Sequence, residues 1–351
     1  MKDSLPSAVK TLLLEGTVIP AHPLALDKNR KLDEKHQRAL TRYYISAGAG
    51  GIAVGVHTTQ FEIRLPQHNL YKAVLSMAAE EVEKAKLKRP FIKIAGITGP
   101  TAQAVKEATL ARELNYDIGL LSNGGLSGQS ENELIQRLQK VSEIIPVFGF
   151  YLQPAVGGRV LSFDFWCKVA ANKNVHAIKV AAFNRYQTID VVRAVCQSER
   201  AHQIALYTGN DDNIVGDLLT PYHFEHNGQV IEKRFVGGLL GHWAFWTKNA
   251  VALLDEIKSI APQDVQAMLA KGIEITDVNA AVFDPAHNYK GCISGINEIL
   301  RRQGLLQNNL CLSEHESLSP GQADEIDRIY RNYENLHDDR FVRDHLRDWL
   351  S

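Results

Sequence analysis

Along the first 240 or so positions, short apolar runs alternate with longer stretches in which apolar residues recur every three or four places. The short runs predict strands near Thr17 to Ala21, Gly51 to Val56, Phe91 to Ile97, Ile118 to Ser122, Val147 to Tyr151, Ala177 to Ala182, Ile204 to Tyr207 and Phe235 to Leu240. Between them the longer period predicts helices over Asp33 to Ala47, Val74 to Lys86, Thr101 to Leu114, Glu131 to Ile144, Phe163 to Ala171, Thr188 to Cys196 and Asp212 to Leu219. Strands that read as apolar throughout are buried on both faces, which is how parallel strands covered by helices look. Eight βα units in about 250 residues are what a (β/α)8, or TIM, barrel requires. An open doubly wound sheet lacks its Gly-rich phosphate fingerprint here, and no P-loop is present.

After Trp246 the strand pattern stops. Helices are predicted over Lys248 to Ser259, Pro262 to Leu269, Ile293 to Arg302, Pro320 to Asn335 and Asp338 to Leu350, the fourth opening on Ser319-Pro320 and carrying Ile326, Ile329 and Tyr330 on one face. The expected division is therefore a barrel with an N-terminal helix over 1–247 and a helical extension over 248–351 packed on it. YHFEHNGQVIEKR, just before the eighth strand, carries an Asn-Gly pair and predicts a small inserted hairpin.

Charge changes this picture little. Lysine and arginine number 39 against 40 acids, so the formal charge is −1, which gives no reason to expect nucleic acid or an anionic membrane as partner. No segment reaches the roughly 18 apolar residues of a membrane span, and the start of the chain lacks a signal-peptide pattern, so a cytoplasmic location is expected. The four cysteines, Cys167, Cys196, Cys292 and Cys311, lack metal-knuckle spacing and are expected to be reduced.

The chemistry centres on HAIKVAAFN, residues 176 to 184, where Lys179 stands in a run with no wet face. Burial disfavours the charged amine and lowers its pKa, which makes a lysine nucleophilic near neutral pH. Barrel enzymes work at the C-terminal ends of their strands. Those ends carry His22; His57, Thr58 and Thr59; Asn123; Tyr151; Lys179; Thr208, Gly209 and Asn210; and His242. Tyr151 on the fifth strand precedes Lys179 on the sixth by 179 − 151 = 28 residues. An amine beside a phenol is the equipment for imine chemistry: the amine attacks a ketone and the phenol moves protons.

FGFYLQP (148 to 154), IKVAAFN (178 to 184), LYTGNDD (206 to 212) and GIAVGVHTTQF (51 to 61) together resemble the dihydrodipicolinate synthase and N-acetylneuraminate lyase family over roughly residues 12 to 300. The resemblance implies a class I lyase or aldolase acting on a 2-oxo acid such as pyruvate, with an aldehyde as possible second substrate. It implies Lys179 as Schiff-base lysine, Tyr151 as proton shuttle and Thr58-Thr59 as carboxylate binders. It also implies no cofactor, no metal, and assembly as a homotetramer or homodimer. His57, Gly209, Asn210, His22 and Asn123 are further expected substrate contacts. The sequence departs from the family where His57 replaces the first glycine of its loop and Gln60-Phe61 replace Gly-Glu, where SNGGLSG (122 to 128) lacks a tyrosine, and where PAVGG follows in place of an arginine. These departures argue against a typical dihydrodipicolinate synthase. Two alternatives stay open: a divalent-metal enzyme using His22, His57, His242 and Asp211 or Asp212, and an inactive barrel serving as a scaffold.

Overall fold

The computed structural model describes residues 5–351. Its strands are β1 (Val18–Pro20), β2 (Gly51–Val54), β3 (Ile92–Ile97), β4 (Ile118–Leu121), β5 (Val147–Leu152), β6 (Val175–Ala181), β7 (Ala205–Thr208), β8 (Tyr222–His226), β9 (Gln229–Lys233) and β10 (Phe235–Leu240). Apart from β8 and β9, these are the eight strands that the apolar runs predict. The chain forms two compact units, one of residues up to 17 with 90–239, the other of 18–89 with 240–351.

In the first unit β3, β4, β5, β6, β7 and β10 pair in parallel in that order. Helices Thr101–Glu113, Glu131–Ser142, Phe163–Ala171 and Arg185–Cys196 return the chain between β3 and β7. Their starts are written in side chains. Ser130 and Glu133 form a reciprocal capping box, Ser162 accepts from the Phe165 amide, and Asn184 accepts from the amides of Tyr186 and Gln187. Each cap supplies an acceptor to an amide that has no partner within its helix. Leu134, Leu138 and Val141 then bury one face of their helix. The expected hairpin is present as β8–β9, antiparallel from Tyr222↔Lys233 to His226↔Gln229. Its tip is Asn227-Gly228, both at positive φ, as the favoured two-residue hairpin turn demands.

In the second unit β1 and β2 lie in parallel, bridged at Ala21↔Ala53. The remainder is helical, with Glu34–Ala47 and Tyr71–Lys84 from the first segment and Thr247–Lys258, Val265–Phe283, Cys292–Arg302, Gln322–Asn332 and Asp339–Trp349 from the second. The helix expected to end at Leu269 runs on to Phe283, because its internal Gly272 costs only about 1 kcal/mol against burial of Ile275, Val278 and Val282. The tail is fastened to helix Glu34–Ala47. Tyr43 donates to Asp338 at 2.6 Å, the same carboxylate accepts from the Lys248 amide and from Gln303, and Arg42 donates to the Trp349 carbonyl. No helix among the described residues is long and apolar enough to cross a membrane.

Candidate active site

Lys179 lies on β6 with its amine 4.6 Å from the centroid of the Phe150 ring. The residue as a whole is half-buried, and burial lowers the amine's pKa to about 8 while the Asp211 carboxylate after β7 pulls it back up. An ammonium of ordinary basicity would be almost wholly charged at pH 8; this one is close to half neutral there.

Gly209, at the end of β7, makes room for it. A Cβ at that position would stand 2.5 Å from Lys179 Cε, 3.1 Å from its Cγ and 2.8 Å from Ala181 Cβ. The residue was expected as a close approach of backbone to substrate; its observed neighbour is the lysine stem.

The expected pairing of Lys179 with Tyr151 is corrected. At the start of the β5–β6 ladder Val147 faces Val175, an offset of 175 − 147 = 28, but the register then shifts and Phe148 faces Ala177, an offset of 29. From there Phe150 pairs with Lys179 and Tyr151 with Val180. Because side chains alternate across a strand, this one-residue slip turns Tyr151 to the opposite face. Its ring stacks on Trp166 of helix Phe163–Ala171, centroids 5.1 Å apart, and its hydroxyl accepts the Leu161 amide at 3.3 Å. Burial raises the phenol's pKa further. It is a packed aromatic on the helix side of the strand, with no position from which to pass protons to the amine.

Asn210 is also corrected, since its buried side chain is held by the scaffold through both oxygen and NH2. The Asn210 carbonyl oxygen accepts the Phe183 amide, and its NH2 donates to Asp217 and Thr188. Asp217, wholly buried, further accepts from Thr208 and Arg185. The Asn123 oxygen accepts from Arg137, a buried guanidinium that also donates to the carbonyls of Gly99 and Ser122. Arg137 and Asp217, both missed from sequence, tie the ends of β3, β4 and β7. Only a buried charge amid helix positions hinted at either.

The remaining expected contacts lie in the second unit. Thr59 donates to the His22 carbonyl at 2.6 Å and accepts the amides of Gly55 and Val56, while Thr58 donates to the same carbonyl at 3.3 Å. Both hydroxyls are occupied in closing the turn after β2. Gln60 follows at φ 69°, a left-handed conformation that favours glycine, and its side-chain oxygen accepts the Leu312 amide at 2.6 Å. His57 is half-buried beside Phe61, ring centroids 5.8 Å apart. His22 is fully buried, its ring nitrogens taken by the Pro23 carbonyl, Thr41 and Gln37, and burial lowers its pKa to about 4. It is a packed neutral histidine, which corrects its assignment to substrate. His242 is likewise buried against Phe245 and bonded to Asn279. Among the described residues no group of three or more His, Cys, Asp or Glu side chains is arranged to hold a metal ion.

Three solved structures show the fold this chain takes. Dihydrodipicolinate synthase from Oceanobacillus iheyensis aligns over 91% of this chain and 96% of its own with TM-score 0.71 at 16% identity. N-acetylneuraminate lyase from Fusobacterium nucleatum, complexed with pyruvate, aligns over 92% and 99% with TM-score 0.71 at 15% identity. YagE, an E. coli K12 prophage protein of the dihydrodipicolinic acid synthase family in complex with pyruvate, aligns over 90% and 98% with TM-score 0.72 at 18% identity. The fold is thus the TIM barrel with C-terminal helices expected from the strand count. No curated protein matches the sequence. The family match itself spans residues 15–220, which takes in β1 to β7 and the amine on β6. The chain belongs to the dihydrodipicolinate synthetase family, whose members are class I aldolase-type lyases.

Proposed function

We propose that the protein is a Schiff-base lyase, aldolase or hydro-lyase whose Lys179 condenses with a 2-oxo acid of pyruvate-like core. One observation carries the reading: a lysine amine on β6, desolvated to a pKa of about 8, in a chain of this family. The neutral amine attacks the C2 ketone to give a carbinolamine. Protonation of the carbinolamine hydroxyl expels water and leaves an iminium, which withdraws electrons from the neighbouring carbon for C–C cleavage, condensation or elimination. With Tyr151 turned away, Asp211 is an ionisable group whose charge acts on the amine, and we assign it the proton transfers of imine formation. The substrate differs from that of dihydrodipicolinate synthases, in keeping with the altered HTTQF loop and the missing tyrosine and arginine.

Borohydride reduction with pyruvate or a longer 2-oxo acid tests this. The expected result is a mass increase that peptide mapping places on Lys179 and that Lys179→Ala abolishes. No adduct with any 2-oxo acid would refute it. The outward Tyr151 and the occupied Thr58 and Thr59 hydroxyls favour one second reading, a barrel that captures a 2-oxo acid without turning it over. That reading expects an adduct but no product release in steady state.

A further inference from the structure

We infer that Phe150 is a catalytic residue of this site: its ring face stabilises the cationic iminium on Lys179, in the place where a phenol was expected. The inference rests on the Schiff-base reading for its chemistry and on independent geometry for its position. Phe150 and Lys179 are register partners on adjacent parallel strands, so their side chains leave the sheet on the same face, and the amine lies 4.6 Å from the ring centroid. A cation within about 6 Å of an aromatic face is attracted by the ring quadrupole, most strongly where water is excluded.

The charge balance of the reaction gives this contact a direction. The resting ammonium is a cation, the attacking amine and the carbinolamine are neutral, and the iminium formed by protonation and loss of water is a cation again. Phe150 therefore favours the first and last states over the two between them. The ring stabilises the iminium without offering a proton, so proton movement falls to a group on another strand. Among the described residues, β5 presents the uncharged Phe150 ring to the amine; the register partner on β7 is Tyr207, whose hydroxyl donates to the Leu13 carbonyl at 3.0 Å; beyond β7 the Asp211 carboxylate acts on the amine's charge.

Two variants test it: Phe150→Leu, and the protein with pentafluorophenylalanine at position 150, which keeps the ring's shape and reverses its quadrupole. The titration of Lys179 is read by competitive acetic anhydride labelling and peptide mass, a measurement that needs no substrate. Both replacements are expected to move that titration down by about one pH unit and, at about pH 9 where the resting amine is already neutral, to cut the borohydride-trapped fraction at subsaturating pyruvate by about tenfold. A merely structural role would not shift both in this coupled way, and the fluorinated ring decides the matter should Phe150→Leu fail to fold. An unmoved titration together with undiminished trapping in the fluorinated protein would overturn the proposal while leaving the Schiff base standing. Wild-type protein that no 2-oxo acid traps would overturn the Schiff-base reading and the iminium role with it, whatever the titration does.

Discussion

Gly209→Ala is the sharpest probe of how the lysine is positioned. Carbon atoms in contact sit about 3.5 to 4.0 Å apart, so a methyl group 2.5 Å from Lys179 Cε and 2.8 Å from Ala181 Cβ is short by roughly 1 Å on each side. The two neighbours differ in how they can respond. Ala181 is pinned to β6, whereas the lysine stem can rotate, so the lysine moves. Overpacking of this kind costs about 1 to 3 kcal/mol, and a stem that swings aside keeps the loss near the lower figure. The amine, displaced by about the missing 1 Å, leaves its place over Phe150, and misplacement on that scale costs about a hundredfold in rate. The variant should therefore show a split: unfolding in urea shifted by about 1 kcal/mol, with the single-turnover rate of borohydride trapping down about a hundredfold. Gly209→Ala protein that traps pyruvate at the wild-type rate would refute it, as would a crystal structure of the variant with Lys179 unmoved.

Other outcomes follow from the same contacts. Tyr151→Phe should leave trapping within about twofold and cost about 1 kcal/mol of stability, because it removes only an acceptor for the Leu161 amide; a hundredfold loss would show that the phenol reaches the amine after all. Lys179 is held below its ordinary 10.5 at about 8, so the unfolded chain keeps its proton more tightly and the native protein gains stability as pH rises between those values. Lys179→Met should therefore exceed the wild type by up to about 3 kcal/mol at pH 7, with the advantage shrinking towards pH 10; urea midpoints that differ equally at both would exclude a desolvated amine. Asn210→Ala leaves the Phe183 amide without its acceptor and removes a donor from buried Asp217, so thermal unfolding should report a loss of about 2 kcal/mol. An unchanged melting temperature would return Asn210 to the list of substrate contacts.

Most strands and helices were legible because their apolar periods are regular, and Lys179 was legible because a cation interrupts an otherwise dry run. The face that Tyr151 presents was not. The predicted sixth strand begins at Ala177, one residue after the shift that changes the offset from 28 to 29, and nothing in "NVHAI" announces it. A one-residue slip exchanges every side chain between the two faces, so motif spacing that holds in sequence fails in space. Asn210 and His22 depart from expectation for a different reason. Polar residues at strand ends serve substrate and scaffold alike, and only their partners distinguish the two uses. Gln60 is a third case: it stands where the family has glycine and takes a backbone of positive φ, and its bond to Leu312 joins segments 252 residues apart, a contact that local sequence does not announce.

The fastening of Tyr43 to Asp338 spans 295 residues, and the unit it closes is split between 18–89 and 240–351. A ribosome adding about 5 to 20 residues per second needs roughly 15 to 60 s to cover that interval. Helix Glu34–Ala47 must wait that long for the carboxylate that accepts from Tyr43. Closure of that unit during synthesis therefore waits until residue 338 has emerged, however early its first helix is made.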